Sequence, residues 1–157
     1  MNSTKDIKNW IIKTLLSENQ AIGIYEAEVY WKKYPQETFN IILRDEKDHF
    51  SKMEEYLKDS DWNYSVFNKV EVGLYQFSGW VIGTLLSLLP RKLCFYFHTV
   101  AEKKAAIEYG NLVEELNKVN ELEEKQQFRF KKLLVGMMNN EFSHAEIFKF
   151  HNNLIHK

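Results

Sequence analysis

Glu46-Lys47-Asp48-His49 and Glu141-Phe142-Ser143-His144 decide how this chain reads. Both are Glu-x-x-His. On a helix, residues i and i+3 share a face, so each motif sets a carboxylate beside an imidazole. The first is surrounded by Ile42, Leu43, Phe50 and Met53, the second by Met137, Met138, Ala145 and Phe148. Polar groups on an apolar stripe lose hydration that a partner must replace. One such motif alone reads as a surface ion pair or a cap. Two of them, on apolar stripes of different helices, read as a binding site.

Two more carboxylates extend the pattern. Glu18 lies among Ile11, Leu15, Ala21, Ile22 and Tyr25, and Glu102 among Phe95, Thr99, Ala105, Ala106 and Tyr109. One Glu from each of two helices and Glu-x-x-His from each of two others is the ligand set with which ferritin-like bundles hold two metal ions. Carboxylate oxygen and imidazole nitrogen suit Fe(II) or Mn(II) better than thiolate-seeking metals. Two neighbouring divalent cations repel, which is why such a set is rich in carboxylates that can bridge. The expected metal ligands are therefore Glu18, Glu46, His49, Glu102, Glu141 and His144, with no catalytic residue beyond the metal site. Tyr25 and Tyr109 each follow a ligand carboxylate by seven residues, and His98 precedes Glu102 by one turn. These three read either as hydrogen-bond partners of the ligands or as ordinary core residues.

The rest of the chain supports helices throughout. Apolar residues recur at helical spacing, and no alternating strand pair stands out. A first helix is expected from a Ser3 or Thr4 cap to Tyr34, ahead of Pro35, with Ile7, Ile11, Leu15, Ala21, Ile22, Tyr25 and Val29 inward. A second runs from Gln36 to Lys58, with Phe39, Ile42, Leu43, Phe50, Met53 and Leu57 inward and Asp59-Ser60-Asp61 as its stop. Trp62 to Gln76 is mixed and gives no clear element. A short apolar helix follows from Phe77 to Leu89, then one opened by Pro90 and running to Leu116. Asn117 to Asn120 reads as a loop. A last helix is expected from Glu121 to Asn152, with Phe128, Leu134, Met138, Ala145 and Phe148 inward. The expected fold is all-α: one domain over residues 1–157, a ferritin-like four-helix bundle with an additional short apolar helix.

Composition narrows the function classes. The chain has 157 residues, a net charge of −1 and one cysteine, Cys94. Near-neutral charge gives no electrostatic case for nucleic acid. A single cysteine excludes an internal disulfide framework and a CxxC site, and a cytoplasmic setting is the default. Cys94 reads as a small buried hydrophobe. His151 and His156 read as solvated, as does the acidic run Glu114, Glu115, Glu121, Glu123 and Glu124. The apolar run from Trp80 to Leu89 is broken by Pro90, Arg91 and Lys92, too short for an ordinary membrane span. Phe77–Leu89 fits a buried helix, a helix resting on the cytoplasmic membrane face, or a dimer contact. Gly79-x-x-x-Gly83 within it permits close helix packing, although the spacing is common by chance.

These motifs together resemble the demethoxyubiquinone hydroxylase family. That family opens its first ligand helix with Gly-Glu-Tyr-Gly-Ala-x-x-Ile-Tyr, and Ser17-Glu18-Asn19-Gln20-Ala21-Ile22-Gly23-Ile24-Tyr25 falls in register. Glu46 and His49 match its second motif, and Asn140-Glu141-Phe142-Ser143-His144 its final Asp-Glu-x-x-His. Gly79-Trp80-Val81-Ile82-Gly83-Thr84-Leu85-Leu86 is similar to its apolar glycine-containing stretch. The third helix, Thr-Val-Ala-x-Glu before a His-Tyr, is matched in part: Thr99-Val100-Ala101-Glu102 is one residue shorter, and Glu108-Tyr109 stands at the pair. Leu15 replaces a histidine usual before the first motif. The likeness spans residues 14 to 150.

The resemblance implies a ferritin-like diiron monooxygenase of ubiquinone biosynthesis. Its cofactors would be two iron ions, with manganese as the alternative metal. Its partners would be O2, an electron donor and a hydrophobic quinone-like substrate, with peripheral membrane contact through Phe77–Leu89 or a homodimer as further expectations. Other readings of the same ligands are an iron-handling or peroxide-reducing protein of ferritin or rubrerythrin type, and a diiron hydroxylase of another small molecule or a modified tRNA base.

Overall fold

The computed structural model describes residues 4–59, 66–118 and 123–155. Among them are five helices and no strand: α1 (Thr4–Tyr30), α2 (Gln36–Asp59), α3 (Val66–Leu88), α4 (Arg91–Leu116) and α5 (Glu124–Leu154). The chain is all-α, of the helical-bundle class expected. It divides into two compact units: residues 7–89, holding most of α1 with α2 and α3, and residues 90–157 together with 1–6, holding α4 and α5.

In the first unit, α1 ends earlier than the proline at 35 would require. The amide of Lys33 donates to the Glu28 carbonyl at 2.8 Å and that of Lys32 to Val29 at 3.1 Å. Lys32 takes a left-handed φ of 52°. This is a Schellman cap, a local backbone stop that normally uses glycine at the left-handed position. Replacing Lys32 by glycine removes the Cβ strain and is expected to raise stability by about 0.5–1 kcal/mol, read by urea denaturation.

α3 is longer than the sequence pattern suggested. It begins at Val66 rather than Phe77 and has 23 residues, so it is not a short helix. Polar residues that blurred its first turns are used against α1. Asn19 Nδ2 donates to the Val72 carbonyl at 2.5 Å, Gln20 Nε2 to Ser78 Oγ at 2.9 Å and Gln76 Nε2 to Glu26 Oε2 at 3.0 Å. The two helices meet backbone to backbone. A Cβ added to Gly79 would fall inside the Gln20 carbonyl, one on Gly83 inside that of Ile24, and one on Gly23 inside that of Gln76. The Gly79-x-x-x-Gly83 spacing is therefore put to structural use. At the end of α3, the buried ammonium of Lys33 donates to the carbonyls of Leu86, Ser87 and Leu89 at 3.3, 3.1 and 2.7 Å. These carbonyls lie at the C-terminal end of α3, where only Leu86 is seen to accept a backbone amide, that of Leu89 at 3.1 Å, so a cation there answers both their hydrogen-bonding need and the negative end of the helix dipole.

α2 packs on α1 through Tyr25 and Phe39, whose ring centroids lie 6.2 Å apart, and through a Lys47–Glu26 ion pair at 2.8 Å. Its buried stripe is Phe39, Ile42, Glu46, His49, Met53, Tyr56 and Leu57; Leu43 and Phe50 are half-buried. On α1, Ile7, Ile11, Leu15, Ile22 and Tyr25 are buried, while Ala21 and Val29 are half-buried.

In the second unit α4 and α5 share a core of Phe95, Leu112, Leu116, Phe130, Leu134 and Phe148. Gln127 Nε2 of α5 caps the Leu116 carbonyl at the end of α4. Pro90 stands at the N-cap of α4, and its carbonyl accepts from Leu93 and Cys94 at 2.9 and 3.1 Å. Phe128 was expected inward and is exposed; Phe130 and Met137 are buried instead. The reason is phase. Positions 130, 134, 137, 141 and 144 step by four or three, whereas 128 is two residues out, on the opposite side. Met138 is half-buried. His151 is also half-buried, its ring 5.8 Å from that of Phe95, rather than solvated. α5 begins at Glu124, and the expected start at Glu121, the loop's Val119–Asn120, Ser3, Ser60–Asp61, Trp62–Ser65 and His156 lie outside the described residues.

Candidate metal centre

In each unit two buried carboxylates meet one buried imidazole. In the first, Glu18 comes from α1 and Glu46 and His49 from α2, exposed by 4, 2 and 2%. His49 Nδ1 lies 3.3 Å from Glu18 Oε2 and 4.0 Å from Glu46 Oε2. In the second, Glu102 comes from α4 and Glu141 and His144 from α5, again buried. His144 Nδ1 lies 3.5 Å from Glu102 Oε2 and 3.6 Å from Glu141 Oε2. The triads repeat one plan: a lone Glu on one helix meets a Glu-x-x-His on its neighbour, and the histidine turns the same nitrogen to both carboxylates. Within each triad one donor atom per residue lies within 4.8 Å of the others.

Local sequence explains the convergence. Glu46 and His49 are in phase with Ile42 and Met53, and Glu141 and His144 with Met137 and Phe148, so the packing that buries the apolar residues buries the carboxylates and imidazoles too. Glu18 follows Leu15 and precedes Ile22 at spacings of three and four, and Glu102 stands four residues from each of His98 and Ala106. Two carboxylates with a single imidazole carry surplus negative charge in a dry environment, which is costly without a cation. The donor set, oxygen with one nitrogen, matches divalent iron or manganese. These buried Glu/His clusters can hold metal.

The other expected site residues are all buried. Tyr25 packs on Phe39. His98 stacks on Phe148 with centroids 4.6 Å apart and rings 19° from parallel. Tyr109 is 4% exposed on the inner side of α4. Cys94 is fully buried and in no disulfide, as a small apolar residue would be. Four buried polar residues of the first unit went unpredicted: Thr14, Asn19, Glu28 and Lys33. Glu28 follows Tyr25 by three residues, a phase that marks it as inward; Lys33 lies beyond the helix, where periodicity gives no signal.

An all-α chain that buries two Glu2His triads between helices is a helical bundle with donors that could hold metal. The comparison of families sharpens this: the model of ubiquinone biosynthesis protein COQ7 matches residues 16–153. The chain is a member of that family, the demethoxyubiquinone hydroxylases, and so belongs among the enzymes of ubiquinone biosynthesis. No curated protein and no solved structure matches it.

Proposed function

We propose that this protein is an O2-dependent diiron hydroxylase acting on a lipid quinone precursor. The observation that carries the proposal is the pair of buried Glu2His triads in a chain of this family. Glu18, Glu46 and His49 would hold one iron and Glu102, Glu141 and His144 the other. Two Fe(II) ions held there would supply electrons for the reduction of O2. In the overall reaction one oxygen atom enters a C–H bond of the substrate to give C–OH. The other leaves as water, with two electrons and two protons from an external reductant.

The chain's own groups do the remaining work. Four carboxylates offset the charge of the cations. The His nitrogens fix ligand direction, and Leu15, Ile22, Met53, Leu134 and Phe148 keep water from the ligand helices. Tyr25, His98 and Tyr109 are proposed to steady the ligands by hydrogen bonding.

α3 suits a lipid substrate. Val70, Leu74, Phe77, Val81, Leu85 and Leu88 form one stripe, each more than 40% exposed, while Gly79 and Gly83 face α1. No charged residue occurs from Val72 to Leu89. No helix of the described residues is long and apolar enough to cross a membrane. A helix with large apolar side chains outward and Gly79 and Gly83 inward fits a membrane interface, where a hydrophobic substrate would be met. Phe77→Glu with Leu85→Glu is expected to abolish flotation with liposomes while leaving the helical circular dichroism intact.

Oxygen uptake stoichiometric with hydroxylation of a demethoxyquinone, in the presence of a reductant, tests the activity. Uptake driven by added iron alone, without hydroxylated product, would instead assign the protein to iron handling.

A further inference from the structure

α4 is apolar on two sides. Its inner side carries Phe95, His98, Glu102, Ala106 and Tyr109, all buried. Its outer side carries Leu93, Tyr96, Phe97, Val100 and Ile107, exposed by 54, 63, 42, 49 and 56%. At roughly 100° per residue, all five outer residues lie within about 60° of Val100. Their spacing of three, four and seven is that of a seam between paired helices. A helix with one seam in its own core and a second facing outward calls for a second partner.

The charges on this outer seam select the partner. Lys103 and Lys104 lie on it, and Glu108 lies at its edge. Their present pairs are exposed ones, Lys103 with Glu146 at 3.9 Å and Lys104 with Glu108 at 3.7 Å, which contribute little and re-form easily. Lys103 and Lys104 flank the seam on either side, unlike the uncharged face of α3, so a partner must face both ammonium groups. A parallel copy of α4 would bring four lysines together. An antiparallel copy centred on Val100 does the reverse. Leu93 then opposes Ile107, Tyr96 opposes Lys104, Phe97 opposes Lys103, and Lys92 opposes Glu108, each twice by symmetry. Aromatic faces meet ammonium groups and a cation meets a carboxylate.

We propose that this protein forms a homodimer through α4, antiparallel, with a two-fold axis at Val100. The interface is isologous, so every contact occurs twice. One helix pair from Lys92 to Glu108 spans about 24 Å, shorter than a standard interface requires, and the dimer is accordingly in micromolar exchange with monomer. This assembly stands independently of the metal site.

Sedimentation velocity on the full chain, from about 1 to 200 µM, tests it. Wild type is expected to shift from monomer to dimer over that range, and Val100→Glu to stay monomeric with unchanged circular dichroism. Under mild oxidation Val100→Cys is expected to give a covalent dimer. Lys149→Cys, exposed on α5, and wild type, whose Cys94 is buried, are expected to give none. A wild-type monomer at all concentrations would overturn the proposal. So would a dimer that survives Val100→Glu, or cross-linking that is as efficient from Lys149→Cys as from Val100→Cys.

Discussion

Glu141→Ala is expected to purify as a folded helical protein with far less than two irons per chain and no detectable hydroxylation. Removing groups that merely orient a ligand typically costs 10–100-fold in metal affinity, and loss of a ligand costs more. The effect on the fold should be opposite in sign. Glu141 is 2% exposed and shares one imidazole with Glu102. Without metal, two carboxylates around His144 repel each other in a dry setting, so the metal-free variant should be at least as stable as metal-free wild type. Chemical denaturation of both apoproteins, beside metal analysis of both as purified, separates the two effects. His49→Ala should lose metal in the same way through the other triad. A variant that unfolds without ever having bound metal would mean that these carboxylates serve the fold alone.

Gly83→Val is expected to be the most damaging single substitution in the first unit. Even a methyl group there falls inside the carbonyl of Ile24, with the Ile24 Cα within 2.8 Å. Both walls of the contact are backbone, so no rotamer change relieves it, and α1 and α3 must move apart. Overpacking alone costs about 1–3 kcal/mol. Separation would also lengthen the Trp31–Thr84 hydrogen bond, now 3.2 Å, and strain the Lys33 cap on the end of α3. A loss of about 3 kcal/mol or more is expected, read as a lower urea midpoint. Gly73→Ala is the control. A Cβ at Gly73 meets nothing within 4 Å, and alanine favours helix by nearly 1 kcal/mol, so that variant should be stabilised.

How far the sequence revealed this protein depends on which physical signal each feature carries. The buried Glu/His clusters were legible because a charged pair on an apolar stripe is anomalous, and because Glu-x-x-His is set by helix geometry alone. α2 and α4 were legible to within a residue or two because breakers flank them. α1 was misjudged at its end, where a backbone cap with a lysine in left-handed conformation replaced the expected proline stop. α3 was cut short because Glu71 and Gln76 interrupt its apolar pattern, although Gln76 serves α1 through Glu26. Phe128 was misplaced because phase was counted from apolar residues rather than from Glu141 and His144, the fixed points of α5. Lys33 was invisible, since its role depends on three carbonyls more than fifty residues away.

The central claim is that Glu18, Glu46, His49, Glu102, Glu141 and His144 hold two iron ions. Metal analysis of wild type purified with iron, alongside His49→Ala and His144→Ala, tests it most directly. The account predicts about two irons per wild-type chain, with occupancy falling in each variant and the helical spectrum retained in both. Iron that stays at the wild-type level in both variants, or a wild type that binds none, would contradict it.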